Sequence, residues 1–82
     1  MGYHTHPINK GTPGEPSKIQ EEFEEFKDAI AQESKLMALI ELSDILGAIS
    51  LYLEKYHPSL DIYDLAQMAS LTRSAFQDGS RK

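Results

Sequence analysis

The stretch LMALIELSDILGAISLYL, from Leu36 to Leu53, constrains the fold more than any other part of the chain. On a helical wheel it is apolar nearly all round, and a helix of this kind is normally packed on both sides. It nevertheless contains Glu41 and Asp44. An unpaired buried carboxylate costs several kcal/mol, so the sequence predicts that a partner elsewhere in the protein compensates these two acids.

The size of the chain limits how it can be stabilised. With 82 residues it is expected to form one domain, and a domain of this size buries only about 60% of its unfolded surface. The chain contains no cysteine, which excludes a disulfide scaffold and thiolate-bound zinc. Association with further copies is the remaining common remedy for a thin core. We therefore expect a homodimer or homotetramer.

The net charge of the chain indicates which classes of partner it can bind. The chain has 8 basic and 13 acidic residues and a net charge of −5, without a basic stripe, which disfavours binding to nucleic acid. A polyphosphate can still be bound if a divalent cation lies between it and the acids. No signal peptide is apparent, and no apolar run reaches about 18 residues without a charge. The sequence therefore predicts a soluble, cytoplasmic protein that does not associate with membranes.

The chain is expected to be all-α, because no stretch alternates with a period of two. Residues 1–16 hold three of the four prolines and are predicted to form an irregular N-terminal arm. A single helical domain should span residues 17–79, and residues 80–82 should form a frayed tail. Ser17 with Gln20 can form a capping box for the first helix, which should run to about Glu33. The next two helices are predicted over residues 36–56 and 61–79, the last with a packing face of Ile62, Leu65, Ala69, Thr72 and Phe76.

The first predicted helix places its acids on two different sides. Glu22 and Glu25 fall on the flank of the apolar face, where they can point along the seam with a neighbouring helix. Three other acids fall near the opposite pole and are expected to be solvated: Glu21, Glu24 and Asp28. The apolar face itself consists of Ile19, Phe23, Phe26 and Ile30.

The second predicted helix offers a matching pair. Glu41 and Asp44 are three residues apart, so they project side by side. An antiparallel hairpin through the short turn at residues 34–35 would bring both pairs together. Four converging carboxylates need countercharge, and Mg²⁺ or Mn²⁺ with their preference for oxygen are natural candidates. The alternative is that the first pair stays on the surface and a lysine neutralises the second pair: Lys18, Lys27 or Lys35.

The segment KIQEEFEEF, followed after a short gap by IELSDILGAI, resembles the MazG-like all-α nucleoside triphosphate pyrophosphohydrolases. In that family an EExxE motif on one helix and an ExxD motif on the next bind magnesium. The resemblance covers roughly residues 15–56, and the arm and tail look like those of short, phage-type members. It implies that Glu22, Glu25, Glu41 and Asp44 are metal ligands in a helical bundle completed by oligomerisation. Glu21 matches a motif position but points away on the wheel.

The resemblance also implies a reaction, the hydrolysis of a nucleoside triphosphate between its α and β phosphates. Glu22 or Glu25 would orient the attacking water as the catalytic base. Larger members have further basic residues that grip the triphosphate, whereas this chain offers only Lys10, Lys18 and Arg73. Three aromatic residues are candidates for stacking on the base, although each is more often plain core: Phe23, Tyr52 and Tyr56. A noncatalytic helical oligomer that binds metal, nucleotide or another protein is the alternative.

The arm contains two histidines with alternate spacing, His4 and His6. Such a pair can chelate a transition metal, but the arm offers no third ligand nearby in the sequence. We therefore do not expect a metal site on the arm.

Overall fold

The computed structural model describes residues 4–77 and contains three α-helices, with no strand among those residues. Helix α1 spans Pro16–Ala31, α2 spans Lys35–Tyr56 and α3 spans Ile62–Gln77. The expectation of an all-α fold is therefore confirmed. Helix α1 packs against α2 over much of its length, whereas α3 contacts α2 only, among the described helices.

The first helix begins differently from the capping-box prediction, which is wrong. Glu15 occupies the N-cap position without a side-chain cap, and Pro16 is the first helical residue. Proline suits that position because its φ is already helical and its missing N–H would have no partner there. Ser17 consequently lies inside the first turn, where its Oγ accepts a hydrogen bond from the Thr12 N–H at 3.0 Å.

The connection between α1 and α2 is three residues long. Glu33 adopts a positive φ of 57°, which reverses the chain direction after α1. Ser34 caps α2, since its Oγ accepts a hydrogen bond from the Met37 N–H at 3.1 Å. This short connection keeps the end of α1 next to the start of α2, which brings the acids of both helices to one region.

The later boundaries are close to those predicted. Helix α2 ends at Tyr56, immediately before His57 and Pro58, because a residue that precedes proline is excluded from helical conformation. Asp61 lies just outside α3, where its Oδ1 accepts hydrogen bonds from the Tyr63 N–H at 2.9 Å and from the Asp64 N–H at 3.1 Å. The predicted end at Gly79 and the predicted tail over residues 80–82 lie outside the described residues.

The interior is small. No residue of α3 is buried, and within its predicted packing face Ile62, Leu65 and Thr72 are only half-buried while Ala69 and Phe76 are exposed. Phe23 and Ile30 of the α1 apolar face are 46% and 55% exposed. The buried apolar residues of the described chain are Ala29, Ala38, Ala48 and Leu53.

Helix α2 is long and apolar enough to cross a membrane by length and composition alone. The core helix of a soluble protein satisfies the same criteria, so this property does not discriminate between the two environments.

Candidate metal centre

Four carboxylates meet where α1 packs against α2. Glu22 and Glu25 come from α1, Glu41 and Asp44 come from α2, and one oxygen of each lies within 4.8 Å of the others. Each pair is three residues apart on its helix, so each presents two side chains to the same side. The structure thus brings together the four acids that the sequence singled out; we call them the carboxylate cluster.

The cluster runs from the interior to the surface. Glu41 is fully buried and Glu22 is 6% exposed, whereas Glu25 is half-buried and Asp44 is exposed. A group bound at the cluster would therefore contact Glu41 on its interior side and would face solvent on the side of Asp44.

The acids perturb one another. Burial, the charge of Glu22 and a hydrogen bond with Glu41 together raise the pKa of Glu25 to about 7. Burial and the charge and hydrogen bond of Glu41 also raise the pKa of Asp44. Protons or a cation must therefore compensate part of the negative charge of the cluster at neutral pH.

Glu22 provides a test of whether the cluster suits a metal ion. Its Oε2 pairs with Lys18 Nζ at 3.0 Å, while its Oε1 is buried and has no hydrogen-bond partner within the described part of the chain. A buried carboxylate oxygen without a partner is costly, and coordination of a cation would satisfy it. All four side chains offer oxygen donors, as Mg²⁺ and Mn²⁺ prefer, so the residues fit such an ion.

The lysines named as alternative countercharges take up different positions. Lys18 pairs with both Glu22 and Glu21, so it neutralises one member of the cluster. Lys27 instead pairs with Glu24 at 3.5 Å on the exposed side of α1. Glu22 is buried rather than a surface acid, contrary to the alternative weighed from the sequence.

Asp28 was expected to be solvated, and this prediction is wrong, since the residue is 1% exposed. The arm folds back over α1 and covers it. Asp28 accepts hydrogen bonds from the Thr5 hydroxyl, from the Thr5 N–H at 3.1 Å and from Gln32 Nε2 at 2.8 Å. The Thr5 hydroxyl bond, with those from His4 and Gln32, outweighs burial and holds the pKa of Asp28 well below its usual range.

Glu21 was also expected to be solvated, and this too is wrong, because the residue is 4% exposed. It accepts a hydrogen bond from the Gly11 N–H at 2.8 Å and pairs with Lys18 at 3.1 Å and Lys10 at 3.7 Å. Burial acts to raise its pKa, but the Gly11 bond and the Lys18 ammonium outweigh it and lower the pKa. Glu21 therefore fixes the arm to α1, consistent with a position outside the carboxylate cluster.

The arm brings a residue to the cluster that sequence reasoning missed. His4 Nε2 lies 3.4 Å from Glu41 Oε2 and 3.7 Å from Glu25 Oε1. The acids that face His4 thus belong to α1 and α2 rather than to the arm. The HTH spacing was the available signal, but the contacts that place His4 join residues more than twenty positions apart in the sequence.

The candidate phosphate-binding residues are dispersed. Lys18 borders the carboxylate cluster, and Lys10 is exposed on the arm next to Glu21. Arg73 is exposed on α3 and lines a separate open groove with Thr72 and Phe76. The structure therefore brings Lys18 to the cluster and leaves Arg73 on another surface of this chain.

The candidate base-stacking aromatics lie in two places. Tyr52 and Tyr56 form a ring pair with centroids 4.9 Å apart, and the Tyr56 hydroxyl donates hydrogen bonds to Glu15. Phe23 is half-exposed on α1, with Lys27 Nζ 5.6 Å from its ring centre.

Comparisons with known proteins give no relative for this chain, since no family model, curated protein or solved structure matches it.

Proposed function

We propose that this chain is a Mg²⁺-dependent nucleoside triphosphate pyrophosphohydrolase that releases a nucleoside monophosphate and pyrophosphate. The observation that carries the proposal is the carboxylate cluster, four acids from two packed helices with at least one oxygen buried and unpaired. The resemblance of the two motifs to the MazG-like family supplies the reaction. The carboxylate cluster and the motif resemblance concern the same four residues.

Glu22, Glu25, Glu41 and Asp44 would hold Mg²⁺, or Mn²⁺ in its place. When bound, the cation neutralises phosphate oxygens and lowers the pKa of a coordinated water. The acids of the cluster cannot bind a triphosphate by themselves, since the carboxylates and the triphosphate are both negatively charged. The cation dependence of the proposed reaction follows from this electrostatic conflict.

The remaining roles fall to side chains near the cluster. Glu25 is half-buried at its edge, so its carboxylate can orient a water molecule and accept its proton, with Glu22 as the second candidate. The water oxygen would form a bond to phosphorus as the bridging P–O bond breaks, and the electron pair would leave with pyrophosphate. Lys18, already at the cluster, would contact the phosphate chain, and Lys10 would approach from the arm. Arg73 would have to come from a second copy of the chain.

The setting we propose is a soluble, cytoplasmic homodimer or homotetramer in which the hairpin of α1 and α2 completes a helical bundle with its copies. Helix α2 suits this arrangement better than a membrane. Asp44 lies near the middle of the helix, and an acid at that depth in a bilayer is costly. The exposed leucines of α2 would instead be covered by another copy.

A noncatalytic oligomer that binds metal or nucleotide is the second candidate. The observation in its favour is the dispersion of the basic residues, because only Lys18 borders the cluster. Such a protein would bind a divalent cation, and a nucleotide through it, without turnover.

The experiment is an assay of the chain with Mg²⁺ and a panel of canonical and modified nucleoside triphosphates. Released pyrophosphate is converted to phosphate by added inorganic pyrophosphatase, and the monophosphate is identified by chromatography. We expect product from at least one nucleotide, and a loss on the order of 100-fold in Glu41→Gln. Glu24→Gln is the matched control, since Glu24 lies on the exposed side of α1 and pairs with Lys27.

Three results decide between the candidates. Phosphate released without added pyrophosphatase would indicate a different bond cleavage. Equal activity in wild type and Glu41→Gln would indicate a contaminating enzyme. No product from any nucleotide at high protein concentration would reject the catalytic proposal in favour of the noncatalytic oligomer.

A further inference from the structure

His4 occupies a defined position between the arm and the carboxylate cluster. Its side chain is only 11% exposed, and its two ring nitrogens face different acids. Nδ1 lies 2.8 Å from Asp28 Oδ2, and Nε2 faces Glu41 and Glu25 at 3.4 Å and 3.7 Å. One ring nitrogen of His4, one oxygen of Glu25 and one oxygen of Glu41 lie within 4.8 Å of one another. The three side chains are therefore close enough to bind one metal ion together.

Asp28 determines how the imidazole is presented. Its carboxylate is fixed as an acceptor by the hydrogen bonds that Thr5 and Gln32 donate to it, so it also accepts from His4. Nδ1 must then be the donor, and in the neutral imidazole Nε2 carries the lone pair. A carboxylate that accepts from one nitrogen while the other binds a cation is the usual support of a metal-ligating histidine.

The oxygen side of the same site has an independent feature that indicates cation binding. Glu22 Oε1 is buried without a hydrogen-bond partner among the described residues, and the Glu22 side chain is 8% exposed. Glu22 belongs to the same cluster as Glu25 and Glu41, the two acids that His4 faces. The partnerless Glu22 oxygen on α1 and the His4 imidazole on the arm therefore lie beside the same pair of acids.

We infer that His4 Nε2 is a nitrogen ligand of the cation held by the carboxylate cluster, which makes the centre a mixed nitrogen and oxygen site completed by the N-terminal arm. This inference rests on the metal-binding part of the proposed function. A nitrogen ligand favours first-row transition ions over Mg²⁺, because imidazole suits them better than it suits a hard alkaline-earth ion. The site is thus expected to bind Mn²⁺ more tightly than Mg²⁺, although Mg²⁺ can occupy it when it is the more abundant ion.

The structure also assigns Asp28 a positioning role. Replacement of Asp28 by asparagine removes the negative charge that faces Nδ1, because the amide oxygen would take the Oδ2 position, where Thr5 and Gln32 donate. A neutral acceptor polarises the imidazole less than a carboxylate does, so Nε2 becomes a weaker ligand. Loss of such a supporting carboxylate ordinarily weakens metal affinity by about 10- to 100-fold.

The test is electron spin-echo spectroscopy of Mn²⁺ added to the chain without an affinity tag, since a histidine tag would itself supply nitrogen. We expect modulation from one ¹⁴N nucleus in wild type, its loss in His4→Ala and its retention in His6→Ala. His6 is the matched control because it is an arm histidine that also approaches Asp28, at 3.1 Å, but is not part of the metal-ligand group. Titration of the free Mn²⁺ signal should show affinity weakened about tenfold in His4→Ala and in Asp28→Asn.

The outcomes separate this inference from the proposed function. Mn²⁺ that is bound in wild type, released by Glu41→Gln and free of ¹⁴N modulation would overturn the role of His4 while leaving the carboxylate site intact. Modulation that persists in His4→Ala would also overturn it. No Mn²⁺ bound to wild type would overturn both. Circular dichroism of each variant confirms that its helices are retained.

Discussion

Glu25 has an unusual position for an acid that is only half-buried. Its carboxylate faces Glu22, Glu41 and His4, and the balance of these neighbours and of burial raises its pKa from 4.5 to about 7. The folded protein therefore binds a proton on Glu25 more tightly than the unfolded chain does. This contribution to stability is fully present below pH 4.5 and is lost as the pH rises through 7.

We predict that the metal-free protein, kept in a chelator, becomes less stable as the pH rises from 5 to 8. The loss attributable to Glu25 is on the order of 2 kcal/mol. Thermal or urea unfolding at several pH values measures it. Glu15, Glu21 and Asp28 do not contribute in this range, because their lowered pKa values place their titration below it.

The variant Glu25→Gln should lose the part of this slope that Glu25 contributes, because glutamine does not titrate, while the raised pKa of Asp44 still acts in the same direction. The variant should also be more stable than wild type at pH 8 without metal. Wild type and Glu25→Gln with the same pH dependence would contradict the prediction. Addition of Mg²⁺ or Mn²⁺ should stabilise wild type most at the high end of the range, where Glu25 is ionised.

The four acids of the cluster could be predicted from the sequence because helical geometry is local. The three-residue spacing of Glu22 and Glu25, and of Glu41 and Asp44, determines which side chains share a face. The same reasoning failed for Asp28, since a helical wheel reports position around one helix and not what covers it. The arm that buries Asp28 comes from more than twenty residues away, through contacts that have no sequence period.

At the scale of elements, the arm is more ordered than its proline-rich composition indicated. It contains no helix or strand between residues 4 and 15, but backbone and side-chain hydrogen bonds fix it to α1 at Asp28 and Glu21. Gly11 allows this close approach, because a Cβ there would overlap the Ser17 carbonyl group. Residues 4–15 thus form an irregular segment that also contributes to the candidate site, which was not predicted.

Helix α2 has an unburied apolar side. Leu39, Leu42 and Leu46 are 64%, 46% and 53% exposed, and their spacing of three and four places them on one face. Each leucine fully removed from water would contribute about 2 kcal/mol. This face is where we expect the copies of the chain to meet.

We predict that the protein sediments as a dimer or tetramer at micromolar concentration. The double variant Leu39→Lys and Leu46→Lys should shift the protein to the monomer. Each copy would have to bury two lysine charges in the interface, which costs free energy. Leu71→Lys is the matched control, since Leu71 is similarly exposed but lies on α3. A wild-type monomer, or an equal effect of the control, would contradict this assignment.

At the scale of the whole molecule, the interior formed by residues 4–77 contains as many acids as apolar side chains. Beside the four buried apolar residues stand Glu21, Glu22, Asp28 and Glu41, and the largest fully buried side chains are Glu41 and Asp28. Apolar residues of similar size would give a more stable core in a chain of 82 residues. The arm compensates Glu21 and Asp28, whereas Glu22 and Glu41 belong to the carboxylate cluster, where we propose that a cation compensates them.

The measurement that tests this central claim most directly is an anomalous difference map from crystals grown with Mn²⁺. We predict one strong peak within coordination distance of carboxylate oxygens from Glu22, Glu25, Glu41 and Asp44, and its absence in crystals of Glu41→Gln. Crystals that diffract well and show no peak between α1 and α2, or peaks only at surface acids such as Glu24, would contradict the account.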